Sequence, residues 1–367
     1  MRFRVLATVV RNALVRLEIM ANRLLRREFV PDGPGIFHIE TSGACNLKCR
    51  FCAYEKKSAP KVSMPNDLFF DCVAQAVALG YTRFDLTPST GDVFMDKRLF
   101  DKFSYLEDHP GVEEYSFFTN LTIPKPEALA RLIALHKLRQ LTISIYGHDL
   151  ASFIAITKST ENVYRRLLAN LDALLALKER WPFGVAIGFR STFDVPGEDA
   201  SELMQALARY RDAGIPVRPS HGVYNNWGGY ISQADVAGLD MHITSTELTY
   251  KYGACVKLFD SVQVMASGVV NACACRDVDA TLRIGNARTT RLKDILSERN
   301  AEYMRIIDEQ QRGEFRPVCA SCDFYKSVYH QRSEYRRSRA PMQTVDDFKA
   351  KLGASRQSDS GQEKAAP

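Results

Sequence analysis

The sequence predicts an α/β fold in which six parallel strands curl into a partial, TIM-like (β/α)6 barrel, with a small hairpin-and-helix domain behind it. From residue 36, short apolar strands alternate with longer helical stretches, a pattern typical of parallel sheets. The predicted strands are 37–41, 83–87, 115–119, 141–145, 185–190 and 216–219. The predicted helices between them are 66–80, 97–107, 125–137, 161–180 and 198–213. The barrel is expected to span residues 36–250, with its chemistry at the strand ends and the loops that follow them.

A second unit is expected at residues 251–330. The alternation over 261–272 is broken by Ser267-Gly268, which predicts a β-hairpin, and a helical stretch follows near 291–312. Residues 1–35 form a separate N-terminal segment. Residues 331–367 are expected to be a basic segment, with four arginines in 332–339, followed after about residue 352 by a disordered tail rich in Ser, Gln, Lys, Gly and Ala.

The composition restricts the classes of protein to which the chain can belong. The chain has 367 residues, 46% hydrophobic and 25% charged, which is ordinary for a globular enzyme. A net charge of +6 with scattered basic residues and no reading motif does not indicate a nucleic-acid partner. Nine cysteines, an odd number, with no signal peptide, indicate a reducing cytoplasm. No run of eighteen apolar residues predicts a spanning helix.

The N-terminal residues 1–28 predict one basic amphipathic helix. Its apolar residues recur at steps of three and four and fall on one arc, whereas arginines occupy the rest. The arc consists of Phe3, Leu6, Val10, Leu14, Leu17, Ala21 and Leu24. Such a helix favours either peripheral contact with the inner membrane face or with a partner, or packing of the arc on the catalytic domain.

The most informative motif is a C-x3-C-x2-C run formed by Cys45, Cys49 and Cys52. Three thiolates can hold three corners of a 4Fe–4S cluster, which leaves one iron open to bind and reduce a small molecule. The alternative is structural zinc, which usually takes four ligands. The next cysteine, Cys72, is twenty residues away, so the cluster is favoured.

This run, with aromatic Phe51 just before the third cysteine, resembles the radical SAM superfamily. The resemblance implies that the open iron chelates S-adenosylmethionine (SAM) and that electron transfer cleaves it to a 5′-deoxyadenosyl radical. It also implies a flavodoxin- or ferredoxin-type electron donor.

The resemblance extends to the residues expected to hold SAM. The segment 87–92 looks like a variant of the family's Gly-Gly-Glu-Pro motif, in which Thr90 replaces the first Gly and Asp92 the Glu. In the family, polar groups at later strand ends face SAM or the substrate, and an arginine suits the methionyl carboxylate. The alternative for each is an ordinary turn or strand-end polarity. The candidate SAM-binding residues are Phe51, Thr90, Gly91, Asp92, Thr119, Asn120, Ser144, Arg190 and Ser191.

The second cysteine group lies in the C-terminal unit. The arrangement C-x12-G-x4-C followed by C-x2-C resembles the shortened, single-cluster form of the SPASM domain, called a twitch domain. It implies a second 4Fe–4S cluster, fully ligated by Cys255, Cys273, Cys319 and Cys322. A four-cysteine zinc ribbon is the alternative. Cys275 is a second choice for the Cys273 position, although the spacing from Gly268 favours Cys273.

Several reactions remain open. The layout resembles 2-deoxy-scyllo-inosamine dehydrogenase-like enzymes, which implies oxidation of a sugar- or cyclitol-like alcohol with the auxiliary cluster as electron acceptor. A radical epimerase would use Cys275 as the catalytic hydrogen donor. Modification of a ribosomal peptide is a third reading, disfavoured because only about 35 residues precede the first strand and leave no room for a leader-peptide domain. A non-catalytic scaffold is the fourth. Hydroxyl-binding groups are expected among Tyr146, His148, His221, Tyr224, Asn225, Asn226 and Trp227.

Overall fold

The computed structural model describes residues 2–246, 249–331 and 341–354, with side chains omitted for 2–9, 11, 353 and 354. The strands are β1 (Val30–Pro31), β2 (Phe37–Ile39), β3 (Arg83–Asp85), β4 (Glu114–Thr119), β5 (Leu138–Tyr146), β6 (Gly184–Ser191), β7 (Val217–His221), β8 (Val223–Tyr224), β9 (His242–Ile243), β10 (Gln263–Val264), β11 (Val269–Asn271), β12 (Arg283–Asn286) and β13 (Met342–Gln343). All six strands predicted for the barrel are present, as β2 to β7.

The α-helices lie mainly between these strands. They are α1 (Arg2–Leu24), α2 (Asn66–Ala78), α3 (Leu99–Asp108), α4 (Pro126–Arg131), α5 (Leu150–Thr157), α6 (Glu161–Leu175), α7 (Glu202–Asp212), α8 (Lys257–Asp260), α9 (Leu292–Ile295), α10 (Ala301–Gln311), α11 (Pro317–Ala320) and α12 (Val345–Ala354). Helix α5 is absent from the predicted pattern. It begins at a capping box in which Asp149 accepts from the backbone N–H of Ser152 at 2.7 Å.

The central sheet has nine strands in the order β12-β11-β10-β2-β3-β4-β5-β6-β7. Strands β2 to β7 are parallel in chain order, as the predicted α/β fold class requires. The predicted hairpin is also present, with Gly268 at a φ of 93° in its turn. Its strand β10 pairs in parallel with β2, so the C-terminal unit continues the barrel sheet. The sequence did not predict this continuity.

The C-terminal residues require a correction. The disordered tail was expected after about residue 352, and no element was expected between it and the basic segment, but residues 341–354 are folded. Strand β13 pairs antiparallel with β1, and Phe348 of α12 packs edge-on against Phe259 with ring centroids 4.9 Å apart. Burial of this aromatic pair and the added strand hold the segment in place. Residues 332–340 and 355–367 lie outside the described residues.

Helix α1 does not pack its predicted apolar arc on the rest of the protein, which was one of the two alternatives. Ile19 is buried, whereas Leu14 and Leu17 of the predicted apolar arc are exposed. The helix is attached through Asn22, whose amide donates to the carbonyl of Tyr329 at 2.9 Å. Within the described residues, no helix is both long and apolar enough to cross a bilayer.

Candidate active site and iron–sulfur centres

The first cysteine loop follows β2 and is fastened to the end of α5. The backbone N–H groups of Lys48 and Arg50 donate to the carbonyls of Thr157 and Ile156, at 3.0 and 2.9 Å. Burial raises the pKa of the Cys45 thiol to about 12 and raises those of Cys49 and Cys52 as well. All three cysteines are free of disulfides, so the loop presents three preorganised thiols to one cavity.

The segment after β3 faces these thiols. Gly91 has a φ of 151°, and a Cβ there would lie 2.8 Å from the Ser42 carbonyl oxygen. The hydroxyl of Thr90 is buried without a hydrogen-bond partner. The carboxylate of Asp92 is buried and accepts from the backbone N–H of Phe94 at 3.0 Å and of Asn120 at 2.7 Å. Burial raises its pKa to about 6. Asp92 therefore fastens this segment to the end of β4.

Substitution of Gly91 by Ala is expected to lower the free energy of unfolding by about 1–3 kcal/mol. The added Cβ would meet backbone oxygens that cannot move aside, at a φ that side chains rarely adopt. Gly197→Ala is the matched control, because no atom lies within 4 Å of a Cβ built there. Chemical denaturation of both variants measures the difference. Equal unfolding midpoints would contradict the steric argument.

Two buried charged residues, Glu40 and Lys57, hold this region together and were missed in the sequence. Glu40 directly follows β2, and its two oxygens accept from the backbone N–H of Ser89 at 2.9 Å and of Ala266 at 3.0 Å. The ammonium of Lys57 donates to the carbonyls of Gly43 and Thr90, at 2.7 and 3.0 Å. The pair thereby connects the cysteine loop, the segment 87–92 and the C-terminal hairpin.

The three thiols and the polar strand ends line one cavity of about 490 Å³. The amide of Asn120 lies at its wall, 3.0 Å from the Asn46 side-chain oxygen and 3.8 Å from Cys45 Sγ. The predicted residues that line the cavity are Cys45, Cys49, Phe51, Cys52, Thr90, Gly91, Asp92, Thr119, Asn120, Ser144, Arg190 and Cys275. This arrangement combines three thiols, which can bind metal, with side chains of both negative and positive charge.

The second cysteine group lines a separate, smaller and largely apolar cavity. It contains Cys255, Cys273, Cys319 and Cys322, whereas Cys275 lines the main cavity. The Gln310 amide donates to Cys319 Sγ at 3.2 Å, and the Phe324 backbone N–H donates to Cys322 Sγ at 3.3 Å. Hydrogen bonds to sulfur stabilise thiolate ligands. The four thiols and their donors therefore fit a fully ligated cluster, while the Cys275 side chain faces elsewhere.

No three His, Cys, Asp or Glu side chains within residues 2–246, 249–331 and 341–354 converge on a single metal ion. In a cluster each thiolate binds its own iron, so such convergence is not needed.

Comparisons with known proteins find one similarity to the C-terminal unit and others to most of the chain. Residues 255–323 match the SPASM family, an iron–sulfur cluster-binding domain. The solved structure of BtrN in complex with AdoMet and 2-DOIA has a TM-score of 0.51 and 15% sequence identity, and the similarity covers 83% of this chain and 99% of that chain. The SPASM similarity was predicted from the spacing of the second cysteine group. Residues 255–323 are thus similar to an iron–sulfur cluster-binding domain, and the chain has a fold similar to that of BtrN.

A second solved structure has a similar fold. Streptococcus suis SuiB bound to the precursor peptide SuiA has a TM-score of 0.53 and 12% identity, and covers 91% of this chain and 79% of that chain. A comparison with curated proteins finds no match. The SPASM match supports the predicted iron–sulfur cluster in the C-terminal unit, and the shared fold confirms the predicted fold class.

One predicted SAM-binding residue needs correction. Ser191 does not line the main cavity; its hydroxyl lies 2.9 Å from His148 Nδ1. Successive side chains of a strand point to opposite faces, so Arg190 and Ser191 of β6 cannot both face the cavity. Arg190 is the one that does.

Phe51 lines the main cavity and is also firmly packed. Its ring stacks on Tyr224 with centroids 4.6 Å apart, and its carbonyl accepts from the indole N–H of Trp227 at 2.9 Å. Of the expected hydroxyl-binding residues, Tyr146, Tyr224, Asn225 and Trp227 line the cavity, whereas His148, His221 and Asn226 do not.

Other residues of the main cavity were not predicted. His38 of β2 and Asp85 of β3 are register partners whose side chains both line it, and Ser89 and Arg276 complete its polar wall. Burial lowers the pKa of His38, although the nearby carboxylate opposes this. Sequence alternation could have placed His38 on the inner face, because its neighbours Phe37 and Ile39 are both buried.

Proposed function

We propose that this protein is an enzyme that cleaves SAM reductively and abstracts a hydrogen atom from a small polar substrate. The observation that carries the proposal is the convergence of three thiols, the segment 90–92 and the strand-end polar groups on one cavity. The buried, unpartnered hydroxyl of Thr90 is a feature that a bound molecule would use.

The residues present fit a cluster with SAM. Cys45, Cys49 and Cys52 would hold three irons, and backbone carbonyls beside Gly91 would accept from the methionyl ammonium. The guanidinium of Arg190 would bind the methionyl carboxylate, and the Ser144 hydroxyl the ribose. When bound, the cluster and SAM together would supply a 5′-deoxyadenosyl radical. A flavodoxin- or ferredoxin-type protein would supply the electron.

The substrate class follows from the rest of the cavity wall. His38, Asp85, Ser89 and Asn225 offer donors and acceptors for several hydroxyl groups, which suits a sugar- or cyclitol-like alcohol. Oxidation of a carbinol to a ketone removes one hydrogen atom, taken by the adenosyl radical, and one further electron and proton. The electron would pass to the second cluster, whose cavity shares Arg276 with the main one. The 2-DOIA bound by BtrN supports this reading.

A specific observation favours a second reaction, radical epimerisation. The thiol of Cys275 lines the substrate cavity rather than the second cluster's cavity. It can return a hydrogen atom to a substrate carbon radical from the opposite face, and one electron and one proton then restore the thiol. Peptide modification, supported by the precursor peptide in the SuiB structure, and a non-catalytic role remain outcomes of the same test.

Cys275→Ala and turnover in D2O are expected to separate the two reactions. Oxidation yields a ketone two mass units lighter, without deuterium from solvent, and survives the substitution. Epimerisation yields a product that gains one deuterium, since thiol protons exchange with water, and is lost in the variant. Mass spectrometry of the products formed from candidate polyols by reconstituted protein measures both the mass change and the deuterium content. A product from neither class, or 5′-deoxyadenosine formed only with peptides, would overturn the polyol assignment.

A further inference from the structure

The exposed face of α1 is a continuous apolar stripe. The stripe consists of Val10, Leu14, Leu17, Met20 and Leu24, which are 50%, 61%, 62%, 45% and 84% exposed. At 100° per residue these five positions span an arc of about 120°, as wide as the face that a surface helix normally buries. Here the stripe faces solvent.

The opposite side of α1 is the one that attaches it to the protein. Ile19 is buried, Asn22 donates to Tyr329, and the guanidinium of Arg23 lies 4.1 Å above the ring of Tyr252. The Glu18 carboxylate accepts from the backbone N–H of Gln331 at 2.9 Å. The helix is thus fixed in an orientation that keeps the stripe outward.

The charge of this segment is strongly one-sided. Residues 1–28 contain seven arginines and two glutamates. Both glutamates are turned into the protein, Glu18 towards His330 at 2.9 Å and Glu28 towards the Tyr329 hydroxyl at 3.0 Å. Arg16, Arg26 and Arg27 are exposed. The outward charge of the helix is therefore positive beside an apolar surface.

We propose that α1 binds the surface of an anionic lipid bilayer, with the apolar stripe in the interface and the arginines on the headgroups. A helix with this division lies parallel to a membrane, and each arginine adds electrostatic attraction to anionic lipid. A second copy of the chain is the poorer occupant, because two such helices would bring like charges together. The inference does not depend on the proposed reaction.

Vesicle flotation of the full-length protein tests the proposal. Vesicles of phosphatidylcholine alone are compared with vesicles that contain about a quarter phosphatidylglycerol. On the order of tenfold more protein is expected to float with the anionic vesicles, and NaCl at about 0.5 M is expected to reverse this. The triple variant L14Q/L17Q/L24Q should lose binding in both, while its unfolding midpoint stays unchanged because these side chains are exposed.

The matched control replaces exposed apolar residues elsewhere. Ile36→Gln with Val62→Gln alters side chains that are 39% and 43% exposed and should leave flotation intact. Flotation that is equal in the wild type and the triple variant, or absent from anionic vesicles, would overturn the proposal. The proposal would also be overturned if sedimentation equilibrium showed a dimeric wild type and a monomeric triple variant, since the stripe would then be an interface between copies.

Discussion

Replacement of Cys45, Cys49 and Cys52 together by Ala is expected to reduce SAM cleavage to background and to halve the iron content. Reconstituted wild-type protein should hold about eight irons per chain and the triple variant about four, because the second cysteine set is untouched. The reason is geometric: the three thiols that line the main cavity are all on one loop, and the described part of the chain offers this cavity only one other cysteine, Cys275. Anaerobic iron and sulfide analysis with chromatography of 5′-deoxyadenosine measures both quantities.

Cys72→Ala provides the control. Cys72 is fully buried in the core beside Val73 and lines neither cysteine cavity, so its loss should cost about 1 kcal/mol of stability and no iron. Four irons and one zinc in the wild type would remove the auxiliary electron acceptor and with it the oxidation reaction. Eight irons without any 5′-deoxyadenosine would favour the scaffold reading.

Lys57→Met is expected to lower the free energy of unfolding by about 3 kcal/mol at neutral pH. The substitution leaves the carbonyls of Gly43 and Thr90 without a donor and removes the positive charge nearest Glu40. Lys56→Met, one residue away, removes an exposed ion pair with Asp235 and should cost about 1 kcal/mol or less. Anaerobic denaturation of both variants makes the comparison.

The pH dependence of this loss has a definite sign. Burial raises the pKa of Glu40, so its protonated form is favoured in the folded state and its stabilising contribution is lost as pH rises through that pKa. Without Lys57 the pKa of Glu40 rises further, so the variant loses the most stability relative to the wild type at high pH. The cost of Lys57→Met should therefore be smaller at about pH 5 than at about pH 8, and a cost that grows on acidification would refute the electrostatic explanation.

Local patterns in the sequence were sufficient for much of this molecule. The six barrel strands and the turn at Gly268 were predicted because alternation and turn chemistry act over a few residues. Helix α5 escaped because its sequence Leu150–Thr157 is apolar almost throughout and shows no clear helical face. Its capping box at Asp149 was the local signal that could have found it.

What the sequence could not predict depends on long-range pairing. The Glu40 carboxylate meets the backbone of Ala266, 226 residues away, and no local pattern encodes that contact. The same holds for strand β13, which pairs with β1 across most of the chain. The cysteines were found early because their spacing is itself the local signal, whereas the side-chain direction of Ser191 required the actual register of β6.

The hydrogen bonds between β10 and β2 give the C-terminal unit a protective role besides cluster binding. Strand β2 leads into the first cysteine loop, and β10 is its neighbour on the side away from β3. Without the C-terminal unit, β2 would become an open edge with unpaired backbone groups, the kind of edge that recruits strands from other chains. The C-terminal unit therefore also covers the edge of the parallel sheet that β2 would otherwise expose.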